Sequence, residues 1–500
     1  MGKLWSVHWV SDVVVPTGGD SVAAGWGDLV ARERAVRISA GDPFMVDPEC
    51  RVDARLTRYF SRSGFARLAM STKVSYTNDY RVFFNFLWLR RTYWDAATFD
   101  DLMDFEDWRR RSPDNPARIS GAKWNRELAA LQRLYRWADR HGYVDTNPVS
   151  TKTVRNRHGE LVQVAEAYAT DVRSSNVRWL TPRAFRLWRD VGLRGYDAGG
   201  RLDRSFRGRH DDRNAAFADV LFSSGLRRTE AASLLTIELP RLLGEPQRYY
   251  DARLGAATAK RSKSRTFYVS VAALRAVEAY CATSRAAVIR RAQAAGRYEQ
   301  LNQVRVVTSQ TGRLRKVLHW RDREGAVGQA ALDELDPAAR RWLFIDGPTG
   351  LEPLWVWLSA DGTAFAPHSW EAAFRAGSQR CLDVLGDKMS YPPFATPHMC
   401  RHSFALHMLV ALHHAMDNRF GLTAEQRRDF QQLYGDPWRM VKDLLGHSSE
   451  QVTRDIYLAP VSDLQVRSLL VDDDDPEIGE LLGRIAAASE RILDTDEATG

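Results

Sequence analysis

His398-Met399-Cys400-Arg401-His402, Leu444-Leu445-Gly446-His447 and Tyr457 follow one another in that order towards the end of the sequence. Two histidines, an arginine and a late tyrosine are parts of a phosphoryl-transfer site that works without a divalent cation. When a phosphodiester is attacked in line, charge builds on its non-bridging oxygens, and side chains must then supply the balancing positive charge. Guanidinium groups do so with bidentate geometry. Arg401 is one candidate, and Arg227 in Gly225-Leu226-Arg227-Arg228-Thr229-Glu230 is the second. A tyrosine phenol suits the nucleophile's part, because the phosphodiester it forms keeps most of the energy of the bond it replaces. With a free pKa of about 10, Tyr457 needs help from the clamp's positive field or from a base such as His398. His447 would hydrogen-bond a phosphate oxygen, and Lys260, in a polar run between two β-prone segments, would protonate the departing oxygen.

Each element also has a plainer reading. A tyrosine at a helix end is usually packing, and Arg227 with Glu230 fits an exposed i,i+3 salt bridge. His398 and His402, spaced i,i+4, would suit a metal, with His407, His413 and His414 lengthening the list. No HExxH pattern or acidic third ligand accompanies them, so no metal and no cofactor are expected. Lys260 is one cation among Arg261, Lys263 and Arg265. The ordered set is more specific than any member of it.

The 500 residues exceed what one ordinary core supports, so two or three domains are expected. Hydrophobic residues make up 44%, enough for packed cores, and the net charge is +8. A basic balance permits an electrostatic nucleic-acid footprint without requiring one. Arginine dominates the cations, which suits phosphate contact. Cys50, Cys281, Cys381 and Cys400 are scattered without CxxC or zinc spacing, as in a reducing compartment. No signal-peptide pattern or long apolar run occurs, so a cytoplasmic protein with no membrane partner is expected.

Residues 1–62 read as an N-terminal arm of unknown role, with a short strand at Trp5-Ser6-Val7-His8-Trp9-Val10. Residues 63–150 read as a helical bundle. Tyr76, Tyr80, Phe83, Phe84 and Leu87 share one face of a helix capped by Ser71 or Thr72. A second helix is expected near Phe99 to Arg110, and a third carries Trp124, Leu128, Leu131, Tyr135 and Ala138 and stops at Gly142. The bundle's polar faces hold Lys73, Arg81, Arg90, Arg91, Arg109, Arg110, Arg111, Lys123, Arg126, Arg133 and Arg136, a concentration that points to phosphate contact. Residues 151–178 suit a linker, and Thr181-Pro182 opens a second domain. Tyr249 to Arg253 and Thr266 to Val269 predict a hairpin with Lys260 to Arg265 in its turn. Pro397 starts the helix of His398 and Arg401, and Ser448 with Gln451 forms a capping box for the helix that reaches Tyr457. Beyond Asp472 to Asp475, an amphipathic helix with Ile478, Leu481, Leu482, Ile485 and Ile492 needs a groove in its own domain or a neighbouring protomer.

Residues 65–470 resemble a tyrosine recombinase of the phage-integrase family. Ser224 to Glu230 resembles that family's G-L-R-x-x-E box, the 260–265 turn its lysine hairpin, His398 to His402 its H-x-x-R box and Leu444 to Ser448 its L-G-H box. Tyr457 follows His447 by ten residues, within the family's range. The resemblance implies a mainly α fold with a small β-sheet (α+β): a helical core-binding domain plus a mixed catalytic domain over 179–470. It implies Arg227, Lys260, His398, Arg401, His447 and Tyr457 as catalytic residues acting on double-stranded DNA. The implied activity is site-specific recombination, integrating or excising a mobile element through a 3′-phosphotyrosyl link. The implied partners are three further copies, in a homo-tetramer on DNA joined by exchange of the C-terminal helix, and accessory DNA-bending or directionality factors. Long intervals place insertions near 282–350 and 412–436, and residue 459 is Ala where the family often has His. A type IB topoisomerase-like relaxing enzyme and a non-catalytic DNA-binding regulator on the same fold remain alternatives.

Overall fold

The computed structural model describes residues 4–11, 31–32, 35, 37–62, 64–155, 159, 161–171, 177–242, 248–259, 264–312, 315–414, 437–446 and 492–493. Two compact units divide the chain, Met1–Ser174 and Ser175–Gly500.

In the first unit, β1 (Ser6–Trp9) pairs antiparallel with β2 (Pro43–Val46), in register from Ser6 opposite Val46 to Trp9 opposite Pro43. Four helices follow: α1 (Ala54–Arg62), α2 (Met70–Leu89), α3 (Phe99–Arg110) and α4 (Gly121–Arg140). Helix α2 begins ahead of the expected Ser71 or Thr72 cap; Ala69 holds the N-cap position, without a side-chain hydrogen bond. Thr98 caps α3 through a capping box with Asp101, and Ser120 caps α4.

The expected boundary at residue 62 has no counterpart in the packing. Trp5, Met45, Leu56, Tyr59 and Phe60 are buried in one cluster with Tyr80, Phe84, Trp124 and Tyr135. The Trp5 ring meets Phe84 and Tyr93 edge-on, at 5.2 and 5.5 Å. An aromatic face on α2 needs more apolar cover than two further helices give, and Trp5, Met45, Leu56, Tyr59 and Phe60 supply it.

The 151–178 segment is likewise more than a linker. It forms a hairpin of β3 (Thr151–Arg155) and β4 (Leu161–Ala165), after which the Trp124 indole donates to the Ala167 carbonyl at 2.7 Å. Asn125 is doubly bonded to Ala169, and Ala165, Ala167 and Ala169 are buried in the bundle core.

The second unit begins at β5 (Trp179–Leu180), which pairs in parallel with Ile492–Leu493 of the same chain. Thr181 and Pro182 start α5 (Pro182–Leu187) as expected from their cap chemistry. Helix α6 (Asp211–Ser224) is central, with Phe217 stacked on Trp370 at 3.5 Å between ring centres. Short α7 (Arg228–Ala232) precedes the hairpin of β6 (Tyr249–Leu254) and β7 (Arg265–Ser270). Helices α8 (Val271–Tyr280) and α9 (Ala286–Ala294) then lead to a five-stranded sheet. Its strands are β8 (Arg305–Thr311), β9 (Val317–Asp322), β10 (Val327–Ala331), β11 (Leu343–Gly347) and β12 (Gly350–Pro353), in the order β10-β9-β8-β11-β12. Only β8 and β11 run parallel, and β8 carries a bulge between Val307 and Ser309. This sheet fills most of the insertion expected at 282–350. Helix α10 (Pro337–Arg340) lies between β10 and β11, and α11 (Trp370–Leu385), α12 (Pro397–His414) and α13 (Pro437–Leu445) complete the unit.

Arginine abundance is partly architectural here. Buried Arg285 donates to the carbonyls of Pro353, Trp355 and Val356, and buried Arg340 to those of Ser233, Leu332 and Leu335 and to Glu238. A guanidinium has five donors in a fixed fork, so one side chain can close several carbonyls left over where irregular segments meet.

Candidate active site

Arg227 stands at the N-cap of α7, where α6 has just ended. Gly225 makes that ending possible. Its backbone is left-handed (φ +63°), and a Cβ there would run into the Phe404 ring on α12. Only glycine allows both the turn and the close approach of α12. The Glu230 carboxylate reaches back to the Arg227 amide at 2.8 Å, half of a capping box, and also accepts from Arg227 Nη1 at 2.8 Å.

The plainer reading of Arg227 and Glu230 as an exposed surface pair does not describe this carboxylate. Glu230 is only 1% exposed, and Arg265, the first residue of β7, grips it with both Nη atoms at 3.1 and 2.5 Å. Burial alone would raise the Glu230 pKa. The hydrogen bond from Arg265 and the charges of Arg265, Arg227 and Arg401 outweigh it, holding the pKa down at about 2.

Arg401 sits one turn into α12 and is buried. Its Nη1 donates to the Gly225 carbonyl and its Nη2 to that of Leu445. Arg265 Nε donates to the Leu444 carbonyl at 3.2 Å, and Arg227 Nη2 to that of Gly446 at 3.3 Å. Three guanidinium groups from three parts of the chain therefore hold three successive carbonyls at the C-terminal end of α13. The last carbonyls of a helix have no partner within it and carry the negative end of its dipole, so cations are favoured there. Gly446 closes the helix with a left-handed backbone (φ +64°), and a Cβ on it would press on Arg265 at 3.3 Å. The glycine of the Leu-Gly-His motif is thus explained by helix termination against an arginine.

Arg227, His398 and Arg401 line one cleft of about 660 Å³, with Arg228, Thr229, Glu371, Phe374, Arg375 and Phe394 in its walls. His398 is exposed, and its ring lies edge-on to buried His402 at 4.2 Å. Ser403 fixes α12 beneath them, accepting from the Leu180 amide at 2.8 Å and donating to the Met399 carbonyl at 2.9 Å. Cys400 is fully buried, and burial pushes its thiol pKa well up, leaving it unreactive. His407 lies away from the cleft against Phe222. Among the described residues no group of three or more His, Cys, Asp or Glu side chains is placed to hold a metal ion.

Of the six expected site residues, the structure brings Arg227, His398 and Arg401 together. Lys260, His447 and Tyr457 lie outside the described residues, as do the capping box at Ser448 and Gln451, the helix expected after Asp475 up to residue 491, and residues 415–436 of the second expected insertion. Arg265 was not singled out from the sequence. Its only signal is position, opposite Leu254 where the hairpin strands begin to pair.

In the helical unit the cationic faces are largely self-neutralised. Arg109 makes a buried fork with Glu127 at 3.0 and 2.6 Å, and Lys123 bonds Asp79 at 2.7 Å. Lys73 pairs with Asp42, Arg90 with Asp104, Arg110 with Glu106 and Asp171, Arg111 with Asp107, and Arg126 with Asp79. Arg133 lies beside Tyr59. Arg81, Arg91, Arg133 and Arg136 are the members of the set without an ion pair among the described residues, so the phosphate-facing set is smaller than the sequence suggested.

Residues 65–142, which span α2, α3 and α4, match the family described as phage integrase, N-terminal SAM-like domain. Within the helical unit, α2, α3 and α4 are thus similar to a phage-integrase SAM-like domain. β1, β2 and α1 lie outside the matched range and pack onto these helices as additions. No curated protein sequence matches the chain. Among solved structures, the chain is similar to the XerH site-specific recombinase bound to palindromic difH substrate in a post-cleavage complex. That match has 11% identity and a TM-score of 0.40, covering 83% of this chain and 81% of that one. It is also similar to residues 82–397 of the Tn1549 transposon integrase in complex with circular intermediate DNA, at 12% identity and a TM-score of 0.41, covering 81% and 93%. A third match is the XerA recombinase, at 14% identity and a TM-score of 0.30, covering 82% and 95%. No helix among the described residues is long and apolar enough to cross a membrane.

Proposed function

We propose that the chain is a site-specific DNA recombinase of the tyrosine type, which integrates or excises a mobile element. The observation that carries this is the meeting of Arg227 and Arg401 in one cleft with His398, beside the helix end that leads into Leu444-Leu445-Gly446-His447. A SAM-like domain of the phage-integrase type on the same chain supports it independently.

In this reading the Tyr457 oxygen forms a bond to the scissile phosphorus as the bond to the 5′ oxygen breaks. The phenolic proton passes to a base, with His398 in that role, and the departing 5′ oxygen takes a proton from Lys260. Arg227 and Arg401 balance the charge on the non-bridging oxygens, and His447 donates a hydrogen bond to one of them. The reverse attack by a new 5′ hydroxyl rejoins the strand, and the energy kept in the phosphotyrosyl bond makes ATP unnecessary. Double-stranded DNA is the substrate. Four copies assemble on it through exchange of the C-terminal helix, with DNA-bending or directionality factors as accessory partners and the nucleoid as the place of action.

The test is Tyr457→Phe on a nicked duplex carrying the junction of the element. Binding should persist while the covalent protein–DNA adduct disappears. An adduct that still forms places the nucleophile elsewhere and overturns the mechanism.

A further inference from the structure

The cleft that holds Arg227 and Arg401 extends to a second pair of arginines that the reaction scheme leaves unused. Arg228, on the first turn of α7, makes an ion pair across the cleft with Glu371, on the first turn of α11. Glu371 and Arg375 are spaced i,i+4, the arrangement that favours a pair along one helix. Here the carboxylate reaches to α7 instead, and Arg375 makes no ion pair among the described residues although it lines the same cleft. The cleft wall thus carries two arginines, one of them matched by a single carboxylate. That carboxylate is 61% exposed and Arg228 is 26% exposed. Exposed pairs of this kind are held weakly and exchange readily for a competing anion.

We infer that Arg228 and Arg375 form a second phosphate subsite beside the Arg227–Arg401 clamp, and that Glu371 occupies it as an internal anion until a DNA phosphate displaces it. The inference rests on the recombinase reading for its ligand, a neighbouring phosphate of the strand held by the clamp. Arg228 then serves affinity and register along the backbone rather than the bond-breaking step. Glu371 makes the subsite selective for a strand that can offer an anion better placed than its own carboxylate.

The probe is labelled duplex DNA of arbitrary sequence, titrated with the full chain at several salt concentrations. Glu371→Gln, an exposed and nearly isosteric change, should tighten binding by about threefold to tenfold. Arg228→Ala should weaken it by a similar factor and reduce the slope of log affinity against log salt by about one, the signature of a lost phosphate contact. The decisive arm is the double variant. With Arg228 gone, Glu371→Gln should give a clearly smaller gain, because the carboxylate then blocks Arg375 alone. A gain of the same size in both backgrounds means that Glu371 acts only as a general negative charge, and overturns the subsite. An unchanged salt slope in Arg228→Ala overturns it too. The Tyr457 adduct assay reports separately on the recombinase reading, so an adduct that forms normally while these effects are missing sinks the subsite alone. Thermal unfolding of each variant distinguishes a binding change from a folding change.

Discussion

Glu230→Gln should destabilise the second unit strongly at neutral pH and hardly at all in acid. The carboxylate is buried and accepts from Arg265 and Arg227, with Arg401 close enough to depress its pKa. Its folded pKa of about 2 against an ordinary 4.5 corresponds to about 3 kcal/mol of stability carried by the ionised form. The sign follows from the depressed value. The contribution is complete above about pH 4.5, where the unfolded chain is also ionised, and drains away as the pH falls towards 2. Glutamine keeps the shape and removes the charge, leaving Arg265 and Arg401 without their buried counter-charge. Urea unfolding of both proteins at a series of pH values measures the difference, and acid effects from other carboxylates cancel between them. The expected gap is about 3 kcal/mol at pH 7, closing between pH 4.5 and 2. Curves that run parallel down to pH 2, or that coincide at pH 7, would refute the claim that this carboxylate holds the arginines together.

Arg401→Ala should cost about 3 kcal/mol or more of stability as well as cleavage, because the Gly225 and Leu445 carbonyls lose charge-assisted donors; urea unfolding alongside the adduct assay separates the two losses. Trp5→Ala should destabilise the helical unit by about 3–5 kcal/mol, a core-sized loss that a loose arm would not show, read from its thermal midpoint. Glu127→Gln should cost about 3 kcal/mol by stranding buried Arg109, and leave the salt slope of DNA binding unchanged, since that arginine serves the bundle. Arg91→Ala should do the reverse, with unfolding nearly unchanged and the salt slope smaller by about one.

Local chemistry made much of this chain legible. Aromatic spacing on α2 and α4, the Thr181-Pro182 cap and the β-prone runs flanking the 260–265 turn each produced the element they predict, because the information lies within a few residues. Boundaries between units were not legible. Trp5 and Met45 reach their core positions by pairing and packing with residues tens of positions away, and no local pattern reports that. The same limit hid Arg265. Four cations stand close together in the sequence between the two β-prone runs, and only the fold shows that Arg265 meets Glu230. Charge counts misled for a related reason. A cation bound into a buried pair reads in sequence like one that faces solvent, and Arg109 with Lys123 was of the first kind.

An anion site has to fold before its anion arrives, and like charges brought together would ordinarily push such a fold apart. The arginines at the end of α13 lessen this through partial neutralisation supplied from within. Three positive groups face one carboxylate and a helix pole worth roughly half an elementary charge, leaving an excess of roughly one and a half. A single phosphodiester carries one negative charge, so in the recombinase reading its entry takes up about two-thirds of that excess. The resting arginines are only partly balanced, and the residual positive field is what draws a backbone phosphate in that reading.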